Sequence, residues 1–177
     1  MSPNQKTGLK WEMYIARQLK ARGYKVKMDN RFTSKSVDVR ANGLPIEVKF
    51  ANPTFRRQGD RCYRRWQWHI SDTRHIHKGK DWALVLIAAA DGRLYHYILP
   101  GEAAINRSQI QLTSTPANYG GWLSDWVEQW ELIHFLSAKL YDGGSQYHEW
   151  LLTTPPQAID YSRELAAQRL ERWAING

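Results

Sequence analysis

The stretch that decides the fold reads SVDVRANGLPIEVKF and covers residues 36–50. At its centre, Asn42-Gly43 is a strong signal for a two-residue hairpin turn, because both central positions of a type I′ turn need a positive φ. The runs on either side alternate in polarity with the two-residue period of a β-strand. The sequence therefore predicts a hairpin with strands over residues 36–41 and 44–50.

The two faces of this hairpin differ in character. A two-residue turn places Asp38 opposite Glu47, with their Cβ atoms about 5 Å apart. Because side chains alternate along a strand, one face is apolar and is expected to lie in the core; it carries Val37, Val39, Ala41, Leu44, Ile46, Val48 and Phe50. The other face carries Ser36, Asp38, Arg40, Glu47 and Lys49.

The polar face has the groups that metal-assisted hydrolysis of a phosphodiester needs. Two opposed carboxylates repel and destabilise a sheet unless their charge is offset. Mg²⁺ does this well, because it binds through one or two carboxylates and keeps waters and phosphate oxygens as its other ligands. Lys49, on the same face as Glu47, can hold an attacking water or stabilise transition-state charge. A solvated polar face explains the same spacing, and the spacing alone does not choose between the two.

A third acidic side chain precedes the hairpin. The pattern predicts a helix over residues 8–22, capped by Thr7 and stopped by Gly23, and then a strand over residues 24–28. Glu12 shares a helix face with apolar residues three, four and seven positions on. A carboxylate on an apolar stripe is costly unless it is paired or bound to a metal, so Glu12 is a candidate for the site. A Glu at the edge of the stripe that reaches solvent fits equally well.

The rest of the chain predicts an α/β, or layered α+β, domain with further helices. The elements expected after the first hairpin are a loop over residues 51–65, a strand over 66–71, a second hairpin over 82–90 and 93–99 around Asp91-Gly92, a helix over 121–141 ended by Gly143-Gly144, and a last helix over 157–175.

Charge is distributed unevenly along the chain. The net charge is +8, and residues 1–80 hold 19 Lys and Arg against six Asp and Glu, whereas residues 81–177 hold six against 11. A basic half indicates a surface for a polyanion, for which nucleic acid is the commonest partner. A merely solvated basic face is the alternative. The single cysteine, Cys62, excludes an intrachain disulfide, and the longest apolar run, residues 82–90, is too short for a membrane span. We therefore expect a cytoplasmic protein that binds nucleic acid and makes no membrane contact.

The spacing of the acidic residues resembles a known nuclease pattern. Asp38, eight intervening residues and then Glu47-Val48-Lys49 are similar to the signature of the PD-(D/E)XK superfamily, which includes restriction endonucleases and archaeal Holliday junction resolvases. The helix with Glu12 and the hairpin that ends in Leu99-Pro100-Gly101 extend this resemblance over roughly residues 8–100. Val37 stands where the family has its name-giving proline.

The resemblance implies a restriction-endonuclease-like core over residues 1–142, with a mixed sheet flanked by helices. It implies Mg²⁺ at Asp38 and Glu47, with Mn²⁺ able to substitute, Lys49 as the catalytic lysine and Glu12 as an auxiliary contact. The implied activity is metal-dependent endonucleolytic cleavage of DNA. A resolvase of branched DNA, an RNA substrate and a nucleic-acid-binding module without cleavage stay open as alternatives.

A basic segment beside the signature predicts the nucleic-acid interface. Arginines interleaved with aromatic residues suit phosphate contacts and base stacking, although an ordinary basic loop has the same composition. The candidate contacts are Arg56, Arg57, Arg61, Arg64, Arg65, Lys35, Ser36 and Gln67. Some relatives carry a functional Gln on the strand that follows the signature, and Gln67 is the candidate for that position.

The C-terminal part offers a second apolar surface. Trp122, Trp126 and Trp130 recur every four residues, so in a helix they form one stripe. Such a stripe packs in the core or at a dimer interface, where aromatic residues are enriched. Residues 143–177 are expected to form a linker and a helix that packs on the core or on a partner. Because cutting both strands of a duplex usually needs two sites, a homodimer is the working hypothesis.

Overall fold

The computed structural model describes residues 2–28, 37–70, 80–104, 106–146 and 149. Two α-helices within these ranges are α1, Pro3–Ala21, and α2, Glu131–Asp142. The strands are β1 Val26–Met28, β2 Val39–Ala41, β3 Leu44–Ala51, β4 Thr54–Gln58, β5 Arg61–His69, β6 Ala83–Ala90, β7 Arg93–Pro100 and β8 Gln109–Leu112. No helix of this part of the chain is long and apolar enough to cross a membrane.

A mixed five-stranded sheet forms the centre, in the order β1-β2-β3-β6-β7. Strands β3 and β6 run parallel, and the other neighbouring pairs are antiparallel. Helices and a second, three-stranded sheet of order β4-β5-β8 surround it. The prediction of an α/β domain with a mixed sheet and flanking helices is confirmed. The helix expected over residues 157–175 lies outside the described residues.

The hairpin that decides the fold has the predicted register. Val39 pairs with Ile46 and Ala41 with Leu44 across the Asn42-Gly43 turn, where φ is +49° and +85°. All four paired side chains are fully buried. The strand before the turn begins at residue 39 and not at residue 36. The last pair of the ladder is therefore Val39 with Ile46, and Asp38 lies just outside it.

Helix α1 is longer than the sequence pattern predicts. It begins at Pro3, five residues before the predicted start, because Ser2 forms the cap instead of Thr7. The Ser2 hydroxyl accepts a hydrogen bond from the Gln5 amide at 3.2 Å, and the Gln5 side chain accepts one from the Ser2 amide at 2.8 Å. This reciprocal capping box satisfies two donors that a helix start leaves unpaired. The predicted stop at Gly23, with φ +88°, is confirmed.

The prediction of a loop over residues 51–65 is wrong, because this segment forms the antiparallel ribbon of β4 and β5. Gln58 pairs with Arg61 across a two-residue turn at Gly59-Asp60. Gly59 has φ +59°, which the turn requires and which glycine adopts without strain. The low apolar content hid the strands, because every residue of β4 is exposed and none enters the core.

The prediction of one helix over residues 121–141 is also wrong. A short 3-10 helix, Trp122–Trp126, is separated from α2 by an extended step in which Val127 bridges Tyr97. Glu128, at φ +55°, donates its backbone N–H to the His96 carbonyl at 2.7 Å. The Glu128 carboxylate also binds the His96 ring at 2.8 Å. These contacts favour the break, so the three tryptophans do not form a single helical stripe.

The two faces of the main sheet are covered by different layers. On one face, the Trp11 ring of α1 stacks on Phe50 at 3.8 Å between ring centroids, and Tyr14 contacts His96. On the other face, Trp68 of β5 packs edge-on against Tyr97 at 6.3 Å. Alternation along β3 places Glu47 and Lys49 on this second face. The acidic residues of the sequence signature therefore face the layer that carries the basic ribbon.

Candidate active site and nucleic-acid interface

Asp38 lies in a bend just before β2, at the end of the hairpin ladder. Its carboxylate oxygen Oδ2 accepts a hydrogen bond from the Val48 backbone N–H at 2.8 Å. The Asp38 side chain thus accepts a hydrogen bond from a backbone amide of β3, where a neighbouring strand would supply a carbonyl group. This bond holds the side chain against β3. This contact turns the Asp38 carboxyl group toward its neighbour on that strand, Glu47.

Glu47 is a charged residue in a buried position, with 3% of its surface exposed. Its carboxyl group and that of Asp38 are hydrogen-bonded to each other. Burial raises the pKa of both groups to about 7; the charge of Glu47 adds to the effect on Asp38, and Lys49 opposes it in both. Two carboxyl groups in a hydrogen bond share a proton, so the pair carries less than its full negative charge near neutral pH.

Lys49 and Glu12 complete the group of charged residues predicted from the sequence. Lys49 is half-buried and shares its face of β3 with Glu47. Glu12 is half-buried on α1. Burial raises the pKa of Glu12 to about 7, the charge of Asp38 adds to this, and Lys49 opposes it. The structure thus brings all four charged residues within electrostatic reach of one another.

The chemistry of this group fits a divalent cation. The buried carboxyl group of Glu47 and the half-buried one of Asp38 share a proton, and a cation can replace that proton. Among the described residues, no three His, Cys, Asp or Glu side chains are gathered closely enough to hold a metal alone. A cation at Asp38 and Glu47 would take its remaining ligands from water or substrate oxygens, which is the coordination that Mg²⁺ prefers.

The ribbon separates the predicted arginines between its two faces. Cross-strand partners share a face, and the ladder pairs Thr54 with Arg65, Arg56 with Tyr63 and Gln58 with Arg61. One face, which we call the outer face, therefore carries Arg56, Arg61 and Arg65. No carboxylate of the described residues pairs with these three guanidinium groups. Arg56 and Arg61 are exposed and Arg65 is half-buried, so the positive charge of the outer face is concentrated at its exposed end.

The opposite face carries the other two arginines, whose groups contact the protein itself. Arg64 forms an ion pair with Asp91 at 2.8 Å and donates to the Thr115 hydroxyl at 3.1 Å. The Nε atom of Arg57 donates to the Gly59 carbonyl at 3.0 Å. Arg64 thus ties the ribbon to the turn between β6 and β7, and only part of its donor capacity is left for a ligand.

Residues of β8 extend the outer face, and they were missed by sequence reasoning. Gln67 pairs with Gln111 in the ladder, and its side-chain amide donates to that of Gln109. The signal was the alternation in QIQL, residues 109–112, where Ile110 and Leu112 are buried and the two glutamines are exposed. The predicted contacts Lys35 and Ser36 lie outside the described residues.

Comparison with solved structures gives a similarity to a bacterial homing endonuclease, at 16% sequence identity and a TM-score of 0.49. The similarity covers 82% of this chain and 98% of that chain. No protein-family model matches the chain, and no curated protein matches it. At this identity, the similarity does not assign a role to any individual residue.

Proposed function

We propose that the chain is a divalent-metal-dependent nuclease that hydrolyses phosphodiester bonds of DNA. The observation that carries the proposal is the contact between half-buried Asp38 and buried Glu47, whose carboxyl groups are hydrogen-bonded to each other beside Lys49. An ordinary solvated hairpin face does not hold two carboxyl groups in contact away from water, because two like charges at that distance repel when both groups are ionised. Carboxyl groups held together at such a cost in free energy, with strongly shifted pKa values, cluster at functional sites.

Asp38 and Glu47 would hold Mg²⁺, for which Mn²⁺ is an expected substitute. The cation would polarise a phosphate oxygen and lower the pKa of a bound water. Asp38 is fixed for this role by the Val48 amide, and Glu47 by its buried position on β3. Both carboxylates are therefore preorganised before any substrate arrives, which avoids reorganisation during the reaction.

Lys49 and Glu12 would act on the reacting groups. The Lys49 ammonium group can orient the attacking water and stabilise the negative charge that develops on the phosphoryl oxygens. Glu12, with a pKa raised to about 7, can accept a proton from water near neutral pH. Water adds to phosphorus and loses a proton, one phosphorus–oxygen bond breaks, and the departing oxygen takes up a proton from solvent water.

The positive outer face of the ribbon supports DNA as the polymer. The ribbon continues directly from β3, the strand that carries Glu47 and Lys49. The ribbon belongs to the layer that covers the face of the main sheet carrying Glu47 and Lys49, so DNA bound to the ribbon would lie on that side of the main sheet. A homodimer, with one site for each strand of a duplex, remains part of the proposal.

Cleavage of supercoiled plasmid tests the proposal. With Mg²⁺ or Mn²⁺ we expect nicked or linear product, and with EDTA none. Lys49→Ala should lower the cleavage rate at least about 100-fold, because it removes transition-state stabilisation. Lys27→Ala, which removes an exposed lysine from β1, is the matched control and should cleave at the wild-type rate.

Other substrates separate the alternatives. Preference for a four-way junction over linear duplex would favour a resolvase. Cleavage of RNA alone would replace the DNA assignment. Tight DNA binding without cleavage of any substrate in either metal would overturn the nuclease and favour a binding module. Light scattering measures the mass of the protein–DNA complex and so tests the dimer. A mass that corresponds to one protein copy per duplex would contradict it.

A further inference from the structure

We propose that the outer face of the β4–β5 ribbon enters the major groove of duplex DNA and reads base pairs there. This inference rests on the proposed function for the choice of DNA, and it goes further because it assigns sequence recognition to one face of one element. The surface is defined by Arg56, Gln58, Arg61, Tyr63, Arg65, Gln67 and Gln111.

The shape of the ribbon fits a groove. Strand β8 pairs only with residues 66–69 of β5, so residues 54–65 form a ribbon of two strands with no third neighbour among the described residues. Two paired strands lie about 4.8 Å apart. The major groove of B-form DNA is about 12 Å wide and admits a two-stranded ribbon.

The ribbon is also held firmly at its base. Trp66 and Trp68 of β5 are buried, and their indole N–H groups donate to the carbonyl groups of Ala89 and Ile87 at 2.8 and 3.2 Å. Arg64 adds its ion pair with Asp91. The exposed end therefore projects from an anchored base, and the outer face keeps a fixed orientation. A rigid element of this kind can read sequence at low entropic cost.

The side chains of the outer face have base-reading chemistry. Arginine forms two hydrogen bonds with guanine, and glutamine forms two with adenine, in the major groove. The face combines these two residue types with Thr54 and Tyr63, and it contains no Asp or Glu, because Asp60 lies in the turn. Glutamines also hydrogen-bond phosphate oxygens, but they add no charge, so the electrostatic attraction of this face comes from its arginines.

Double-stranded RNA fits this surface less well. The major groove of an A-form helix is deep and narrow, and protein side chains do not read bases there. A projecting ribbon with planar amide and guanidinium groups therefore favours B-form DNA. The chain from Lys49 to Thr54 spans at most about 17 Å, so the ribbon begins within that distance of the candidate site.

Selection of bound duplexes from a randomised DNA library tests the inference. The full chain is used in EDTA, so that no cleavage occurs, and binding affinities for the selected and a scrambled duplex are then measured. Arg61→Ala should weaken binding to the selected sequence about 10- to 100-fold and relax preference at one or two base pairs. Its affinity for the scrambled duplex should change far less.

Arg57→Ala is the matched control, because it removes an arginine of the same ribbon from the opposite face. We expect it to weaken binding to both duplexes equally, as the loss of a phosphate contact does. Thermal unfolding of each variant shows whether the fold is intact. Gln67→Ala, which removes no charge, should relax preference without changing the dependence of binding on salt.

The results separate this inference from the proposed function. The inference is overturned if no preferred sequence emerges, if Arg57→Ala relaxes preference as much as Arg61→Ala, or if double-stranded RNA binds better than DNA. Metal-dependent cleavage without a preferred sequence would leave the nuclease standing and remove base reading. A preferred sequence without cleavage in any metal would leave base reading standing and remove the nuclease.

Discussion

Replacing Glu47 by glutamine should stabilise the metal-free protein at high pH, because the wild type loses stability when this buried carboxyl group ionises. The folded pKa of Glu47 is raised from 4.5 to about 7. The stabilising contribution of the protonated group is therefore complete below about pH 4.5 and is lost as the pH rises through about 7. Each pKa unit corresponds to about 1.4 kcal/mol, so the full loss is about 3 kcal/mol.

Urea unfolding in EDTA measures this effect. At about pH 8, Glu47→Gln should have a free energy of unfolding about 2 to 3 kcal/mol above that of the wild type, and at about pH 5 the gap should fall below about 1 kcal/mol. Glu131→Gln, which changes an exposed carboxylate on α2, corrects for general titration. Millimolar Mg²⁺ should narrow the gap at high pH, because it stabilises the wild type by binding. An equal gap at both pH values would refute the reasoning.

Three further predictions concern the framework around the site. Glu128→Gln should lower the free energy of unfolding by about 1 to 3 kcal/mol, since it weakens charge-assisted hydrogen bonds to His96. Because the pKa of Glu128 is lowered in the folded protein, this contribution should fade as the pH drops below about 4.5. Melting curves at several pH values would show the loss. Trp68→Phe leaves the Ile87 carbonyl without its indole donor, so the free energy of unfolding in urea should fall by about 1 to 3 kcal/mol. An unchanged urea midpoint would argue against that bond. Gly59→Val places a β-branched residue at φ +59° and should weaken DNA binding, whereas Gly59→Asn should retain it, and equal binding by both variants would count against an ordered turn.

The hairpin that carries Asp38 and Glu47 was predictable because its local signals agreed. The Asn42-Gly43 turn, the two-residue alternation and the burial of one face all specify the same register. A slip of one residue would have moved every apolar side chain to the wrong face. The proximity of Asp38 and Glu47 followed from that register, although the ladder itself ends at Val39.

The ribbon and the break before α2 were missed because their causes are not local periodicities. Strand β4 has no buried residue, so no hydrophobic pattern marked it, and the informative signal was the Gly59-Asp60 turn. The break at Glu128 depends on His96, a residue 32 positions away. Contacts of that range override helix propensity, which is worth less than about 1 kcal/mol per residue.

The most direct test of the central claim is the rate of plasmid cleavage in Mg²⁺ by wild type, Glu47→Gln and Glu131→Gln under single-turnover conditions. The two variants make the same chemical change, one at buried Glu47 in contact with Asp38 and one at an exposed residue of α2. We predict that Glu131→Gln cleaves at the wild-type rate and that Glu47→Gln is slower at least about 100-fold while it still binds DNA. Cleavage by Glu47→Gln at the wild-type rate would contradict the assignment of the active site.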